Sequence, residues 1–346
     1  MLIALVHLSL TGCLGDKEKA TFETGRSETK DSIETATDTG LDPNEVNSGG
    51  LQYGFFAIHL DPGTNPGDNG VPSADRPIEY LGALTRLVEK ADQYDHKLTL
   101  MFTPQWAYHV ASENCLLPIH DSLPPGSYSY RNELLDSCLS LFRAFEAWGH
   151  EIAIHHHPKD APNSWDGYSD NTDHMTDEDY LGTTNDLLDI VAEIPTGGIS
   201  SIRSGTLEEY PTNAYNLKFM SARGPTAYVN PEERGDLAST PCVWSGDGPF
   251  VWRLRMRALE LDSILELQSA HVQLSDSEVT YTAGFVTHAK DTDGLSSALS
   301  DALFAEISAR GITFEGLSTV ASHYPYTDLD AAPGTEYDCP PDESLE

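Results

Sequence analysis

From residue 51 onward, short apolar runs alternate with longer stretches whose apolar residues recur at helical spacing. Residues 51–60 read as a strand, and 78–94 read as a helix because Leu81, Leu84, Leu87, Val88 and Ala91 fall on one face. Residues 97–102 read as a second strand, 134–148 as a helix and 151–155 as a third strand. Further strands are expected at 199–203, 217–221, 264–269 and 283–288, with helices at 177–194 and 295–310. Strands separated by helices pair in parallel through right-handed crossovers. The pattern therefore predicts one α/β layered or barrel domain over residues 51–346, and it contains no internal repeat.

In a parallel α/β barrel the chemistry gathers where the strands end and the βα loops begin. The polar residues at those ends are Asp61, the run His155, His156 and His157, then Arg203 and His288. Alternate side chains of an extended chain share a face, so His155 and His157 can converge while His156 points elsewhere. Neutral imidazoles with one carboxylate, here Asp61, suit zinc or a similar divalent ion with positions left open for water. Such an ion activates water and polarises a carbonyl, which favours hydrolysis. The bland alternative is a stacked histidine cluster without metal. Trp106, Tyr108, Trp165 and Tyr168 could stack on sugar rings or equally pack beneath loops.

The ends of the chain differ from its middle. Residues 1–12 read as a lipoprotein signal peptide, in which a short apolar run leads to Leu10-Thr11-Gly12-Cys13 and Cys13 would carry the lipid. The run is far shorter than the about 20 residues of a spanning helix. Residues 13–50 are rich in Thr, Ser, Glu and Asp with almost no large apolar side chains, and so read as a disordered acidic tether. Four cysteines remain, Cys115, Cys138, Cys242 and Cys339. An even number in an exported chain predicts two disulfides, and proximity favours Cys115 with Cys138 and Cys242 with Cys339, although three connectivities are possible. No CxxC spacing points to a zinc cluster.

Charge limits the partners. The 346 residues hold 55 acids and 20 bases, a formal −35. Asp16 to Gly50 carry nine acids and four bases, so 46 acids and 16 bases, a net −30, fall elsewhere. Nucleic acid is excluded because phosphate binding needs clustered cations. An acidic membrane face or a uronate polymer would be repelled by the summed field. A neutral or cationic ligand fits, and the only membrane contact expected is through the N-terminal lipid.

The segment Trp148-Gly149-His150-Glu151-Ile152-Ala153-Ile154-His155 resembles the "GHEIGNH" core of the polysaccharide deacetylases, the chitooligosaccharide deacetylase-like hydrolases. Residues 94–102 occupy the place of that family's second strand, and His59-Leu60-Asp61-Pro62-Gly63 stands where it has "TFDDG". Val286-Thr287-His288 is similar to its "LxH" motif, and residues 311–320 resemble its closing strand and helix. The resemblance spans roughly residues 51–324 and implies a distorted (β/α)7 barrel. It also implies a divalent metal, usually zinc, held by one Asp and two His, and removal of acetyl groups from a glycan. By position, Asp61 and His155 match metal ligands, His288 the proton donor to the leaving group, and Arg203 the arginine that orients the base.

Three positions depart from the family. Its general-base aspartate aligns with Leu60, its second metal histidine with Lys159, and Ser204-Gly205-Thr206 follows Arg203 in place of an aromatic and a proline. His157 shares a face with His155 and could supply the missing ligand. His59 shares a face with Asp61 and could take the proton, or could be a buried histidine bonded to backbone. His150 and Glu151 read as structural. The expectation is a monomeric, metal-dependent deacetylase lipid-anchored at the bacterial envelope, on the outer membrane or cell surface. The alternatives are a non-catalytic glycan-binding protein on the same barrel and an amidohydrolase-type metallohydrolase, suggested by His59-x-Asp61.

Overall fold

A computed structural model of the chain describes residues 49–60, 75–111, 129–130, 133–135, 137–156, 184–207, 217–222, 238–244, 251–260, 262–289, 297–324, 327 and 338–339. The chain divides into two units, Met1–Glu45 and Val46–Glu346, and every described residue belongs to the second. The expected signal peptide, Cys13, Cys115 and nearly all of the tether lie outside the described residues.

The strands in chain order are β1 (Gly50–Leu60), β2 (Thr99–Phe102), β3 (Ser129–Tyr130), β4 (Glu133–Leu134), β5 (Glu151–His156), β6 (Ser204–Leu207) and β7 (Phe219–Ala222). They continue with β8 (Ala238–Ser239), β9 (Cys242–Trp244), β10 (Val251–Arg255), β11 (Arg257–Ala258), β12 (Thr280–His288) and β13 (Thr313–Phe314). The helices are α1 (Asp75–Gln93), α2 (Pro104–Ala111), α3 (Cys138–Ala147), α4 (Thr184–Val191), α5 (Ser263–Gln273), α6 (Ser297–Ala309) and α7 (Leu317–Ser322).

The main sheet runs β11-β12-β1-β2-β5-β6-β7-β10-β9, with β12 through β10 parallel and β9 antiparallel at the edge. It is curled. One extended segment pairs with β7 through β10 and with β12 through β11, so it touches both flanks of the parallel set. Close approach there is built into the sequence: a Cβ on Gly284 would lie 2.1 Å from the carbonyl oxygen of Arg255.

Strand parity sorts side chains into two cores. Phe56, Ile58, Leu100, Phe102, Ile152, Ile154 and Phe285 pack outward against the helices, which contribute Leu84, Val88, Phe142, Leu188, Leu267 and Phe304. Phe55, Ala57, Met101, Ala153, Trp252, Leu254 and Val286 form a second cluster on the inner face. Helix α7 joins that inner cluster through Leu317, Val320 and Ala321.

Most expected elements are present, and the differences have local causes. Helix α3 starts at Cys138 rather than 134, because Ser137 caps it and Ser140 reciprocates with hydrogen bonds of 3.2 and 3.1 Å. The strand expected at 199–203 is a 3-10 turn, Gly198–Ser201, followed by β6; Gly198 has φ +61° and Ile199 and Ile202 are three apart rather than alternating. The strand expected at 264–269 is helix α5, in which Leu267 and Ala270 are buried while Leu265 and Val272 are exposed. Strands β8 to β11 had no counterpart in the sequence reading.

Cys242 and Cys339 are joined, with Cα atoms 4.9 Å apart, and the Cys339 amide donates to the Val243 carbonyl. Cys138 is also disulfide-bonded. Among the described residues no helix is long and apolar enough to cross a membrane.

Candidate active site

Three imidazoles meet at the C-terminal ends of β1, β5 and β12. Phe55 and Ala57 face inward on β1, so His59 does too; Ala153 sets the same parity for His155, and Val286 for His288. In the register His59 is opposite Met101 on one side and His288 on the other. The His59 and His155 rings stack with centroids 3.9 Å apart, and His288 meets His59 edge-on at 5.4 Å. His59 and His155 are buried, each 3% exposed, and His288 is half-buried.

Position 60 does not face the three rings. Leu60 is fully buried in the outer core, so its side chain faces the helices and not the site. The residue that this strand end presents inward is His59.

Two hydroxyls and a thioether adjoin the rings, and the sequence reading missed all three. Thr206, the register partner of His155, places Oγ1 3.4 Å from His59 Nε2, 2.8 Å from Ser221 Oγ and 3.2 Å from Met101 Sδ. Ser221 Oγ lies 4.0 Å from the same sulfur. The usable signal was the alternation Ser204-x-Thr206 and Phe219-x-Ser221, which sends the second residue of each pair to the end of the inner face.

The other end of this face is held by Glu151. Its carboxylate accepts from Ser204 Oγ at 2.8 Å, from the Ser318 amide at 3.1 Å and from Thr99 Oγ1 at 3.4 Å. Burial pushes its pKa above the ordinary carboxylate value, and these donors pull the other way. Thr99 Oγ1 also accepts from the Leu317 amide, so the cluster ties α7 to β2, β5 and β6. His150 Nδ1 accepts from the Leu98 amide at 3.0 Å, and its Nε2 is 3.3 Å from Asp92, which also pairs with Lys97. Gly149, at φ +93°, ends α3 in a left-handed conformation and lets the chain enter β5. Most of the Trp148 to His155 motif is therefore scaffold, and His155 is its contribution to the site.

Arg203 is not with the histidines. It precedes β6, is exposed, and its carbonyl accepts from the Lys218 and Phe219 amides at the start of β7. The site residue on that strand is Thr206, at its far end. Asp61 and His157, two of the three expected metal ligands, lie outside the described residues, as do Lys159, Trp165 and Tyr168. Among the described residues no group of three or more His, Cys, Asp or Glu has a metal-holding arrangement. His155, an inward imidazole at a strand end, fits one ligand position. Trp106 is 1% exposed and packs edge-on to Phe142, so it belongs to the core, whereas Tyr108 is 51% exposed.

No family model matches the chain, and no curated protein matches it. Solved structures do resemble it. The Puue allantoinase shares 12% identity over 83% of this chain and 93% of its own, with a TM-score of 0.51. A Mycobacterium smegmatis protein described as a polysaccharide deacetylase shares 14% identity over 80% and 91% of the two chains, with a TM-score of 0.45. A 4-alpha-glucanotransferase from Thermococcus litoralis shares 12% identity over 80% of this chain and 40% of its own, at 0.47. The allantoinase likeness shows a common α/β fold.

Proposed function

We propose that the chain is a metal-dependent carbohydrate deacetylase, built on a distorted seven-strand (β/α) barrel in which the β10–β11 segment closes the ring between β7 and β12. The observation that carries this reading is the meeting of His59, His155 and His288 on one inner face at three strand ends. The resemblance of residues 148–155 and 286–288 to the polysaccharide deacetylases supplies the reaction class.

In this reading Asp61, His155 and His157 hold a divalent ion, zinc being the natural choice for one carboxylate and two imidazoles. When bound, such an ion polarises an acetyl carbonyl and lowers the pKa of water. His59 accepts a proton at the face where the family's base would act, since Leu60 cannot reach it. His288, the most solvent-exposed of the three rings, donates to the departing amine or alcohol. Arg203 has no part in the proposal.

The substrate class is a neutral or partly deacetylated, cationic glycan, because a net −30 beyond the tether disfavours uronates. The Cys242–Cys339 disulfide supports an oxidising compartment. With Cys13 lipidated and residues 13–50 as spacer, the monomeric domain would work at the outer membrane or cell surface.

The test is acetate release from acetylated chitooligosaccharides with zinc, with chelator, and after metal is returned. Release that chelation abolishes and zinc restores is expected. A second reading, glycan binding without catalysis, is favoured by Leu60 in the base position. Glycan binding with no acetate release under any divalent ion would establish it instead.

A further inference from the structure

A buried hydroxyl sits at the end of β1, and none of the matched motifs assigns it a role. Thr103 follows β2 and precedes Pro104, the first residue of α2. It is fully buried, and its Oγ1 donates to the Leu60 carbonyl at 2.8 Å. A carbonyl oxygen can only accept, so the direction of this bond is fixed. The last register pairs of β1 are His59 with His288 and Leu60 with Phe102. Thr103 therefore bonds the final carbonyl of β1 one position past the last backbone pair on β2. The next residue, Pro104, has no amide with which to continue the pairing.

We propose that Thr103 is a positioning residue, whose hydroxyl clamps the Leu60 carbonyl and so keeps the end of β1 where His59 stacks on His155. For the chemistry, the inference rests on the reading of this strand end as part of a metal site, since His59 precedes Leu60 and Asp61 follows it. Three features support it. Thr103 is β-branched, which narrows the directions its Oγ1 can take. Its own carbonyl accepts from the Ala107 amide at 3.0 Å, so the residue is anchored at the start of α2 as well. A threonine in that place usually turns its oxygen to its own helix, and here the hydroxyl proton goes to a neighbouring strand. The Leu60 side chain is fully buried in the outer core, so packing and the hydroxyl hold the same residue by side chain and backbone.

The test compares Thr103→Val, nearly isosteric but without the donor, with Thr103→Ser, which keeps it. Thr85→Val is the control: Thr85 is as buried and its Oγ1 donates to the Leu81 carbonyl at 2.8 Å, but within α1 on the outer layer. The first readout is the nuclear Overhauser effect between the His59 and His155 rings in the histidine-labelled full chain without added metal, assigned with His59→Gln and His155→Gln. It is expected to weaken in Thr103→Val and to persist in Thr103→Ser and Thr85→Val. The second is zinc affinity, measured by competition with a chromophoric chelator. It is expected to fall about 10- to 100-fold in Thr103→Val alone, the usual effect of losing a group that supports a metal's surroundings. If the valine variant does not fold, Thr103→Ala, which leaves room for water at the carbonyl, takes its place with the same expectations. Ring contact and zinc affinity at wild-type strength without the donor overturn the proposal, as does an equal loss in Thr85→Val. In a chain that holds no zinc, ring contact that follows the Thr103 hydroxyl upholds the positioning and removes only the metal reading.

Discussion

The imidazoles of His59 and His155 stack at 3.9 Å although their strands are not neighbours. β2 lies between β1 and β5, which in a flat sheet would separate the two by about 9.5 Å. Two features close the gap. The sheet curls toward its inner face, and β2 ends at Phe102, one residue past the inward-facing Met101. The stack therefore reports the curvature that creates the site.

If His59 takes the proton, His59→Ala should lower acetate release about 10²- to 10⁴-fold, the usual worth of a positioned base. Circular dichroism should show the fold retained. Unchanged turnover would remove His59 from the chemistry and leave it as packing.

Gly284→Ala tests the contact between β12 and the β10–β11 segment. The added Cβ would meet the Arg255 carbonyl oxygen at 2.1 Å and the Phe55 ring at 2.4 Å. Backbone cannot swing aside as a side chain does, so a loss of about 1–3 kcal/mol is expected in urea unfolding. A neutral substitution would mean that the segment does not pack on β12 this closely.

The alternation of apolar and polar positions exposed much of this in advance. His155 and His288 were visible as strand-end residues, and His59 as the residue sharing a face with Asp61; each continues an inward parity set two and four residues earlier. Leu265 misled the reading of 264–269: with Ile264 and Leu267 it makes a short apolar run, which a strand and a helix share. Only the burial of Leu267 and Ala270 with exposure of Leu265 distinguishes them. β8 and β11, two residues each, carry no periodicity. Thr206 and Ser221 match no ligand or base pattern, and their place beside the rings depends on a register that sequence does not state.

His96 should make the fold sensitive to mild acid. Burial holds its pKa below the ordinary value, only partly opposed by its bond to the Phe304 carbonyl and by Asp95, while Lys97 adds to the lowering. Its Nδ1 accepts from the Phe314 amide and its Nε2 faces Ser308. The unfolded chain takes up this proton near pH 6.5 and the folded one does not, so stability falls as pH drops below about 6.5 and continues to fall toward the folded pKa. The urea midpoint of His96→Phe should decline less between pH 7 and 5.5 than that of wild type. Equal slopes would contradict the assignment.

The Cys242–Cys339 bridge spans 97 residues and pins the chain end to edge strand β9. Loop-closure entropy predicts a loss of about 2–5 kcal/mol for Cys242→Ser with Cys339→Ser. Chemical denaturation under non-reducing conditions measures it. A change below about 1 kcal/mol would show that the bridge constrains little of the unfolded chain.

The measurement closest to the central claim is the metal content of the purified protein after loading with zinc and exhaustive dialysis, for wild type and His155→Ala. The account predicts one tightly held divalent ion per chain in wild type and its loss in the folded variant. A wild type that retains no ion, or a variant that retains it fully, would contradict a metal hydrolase centred on these strand ends.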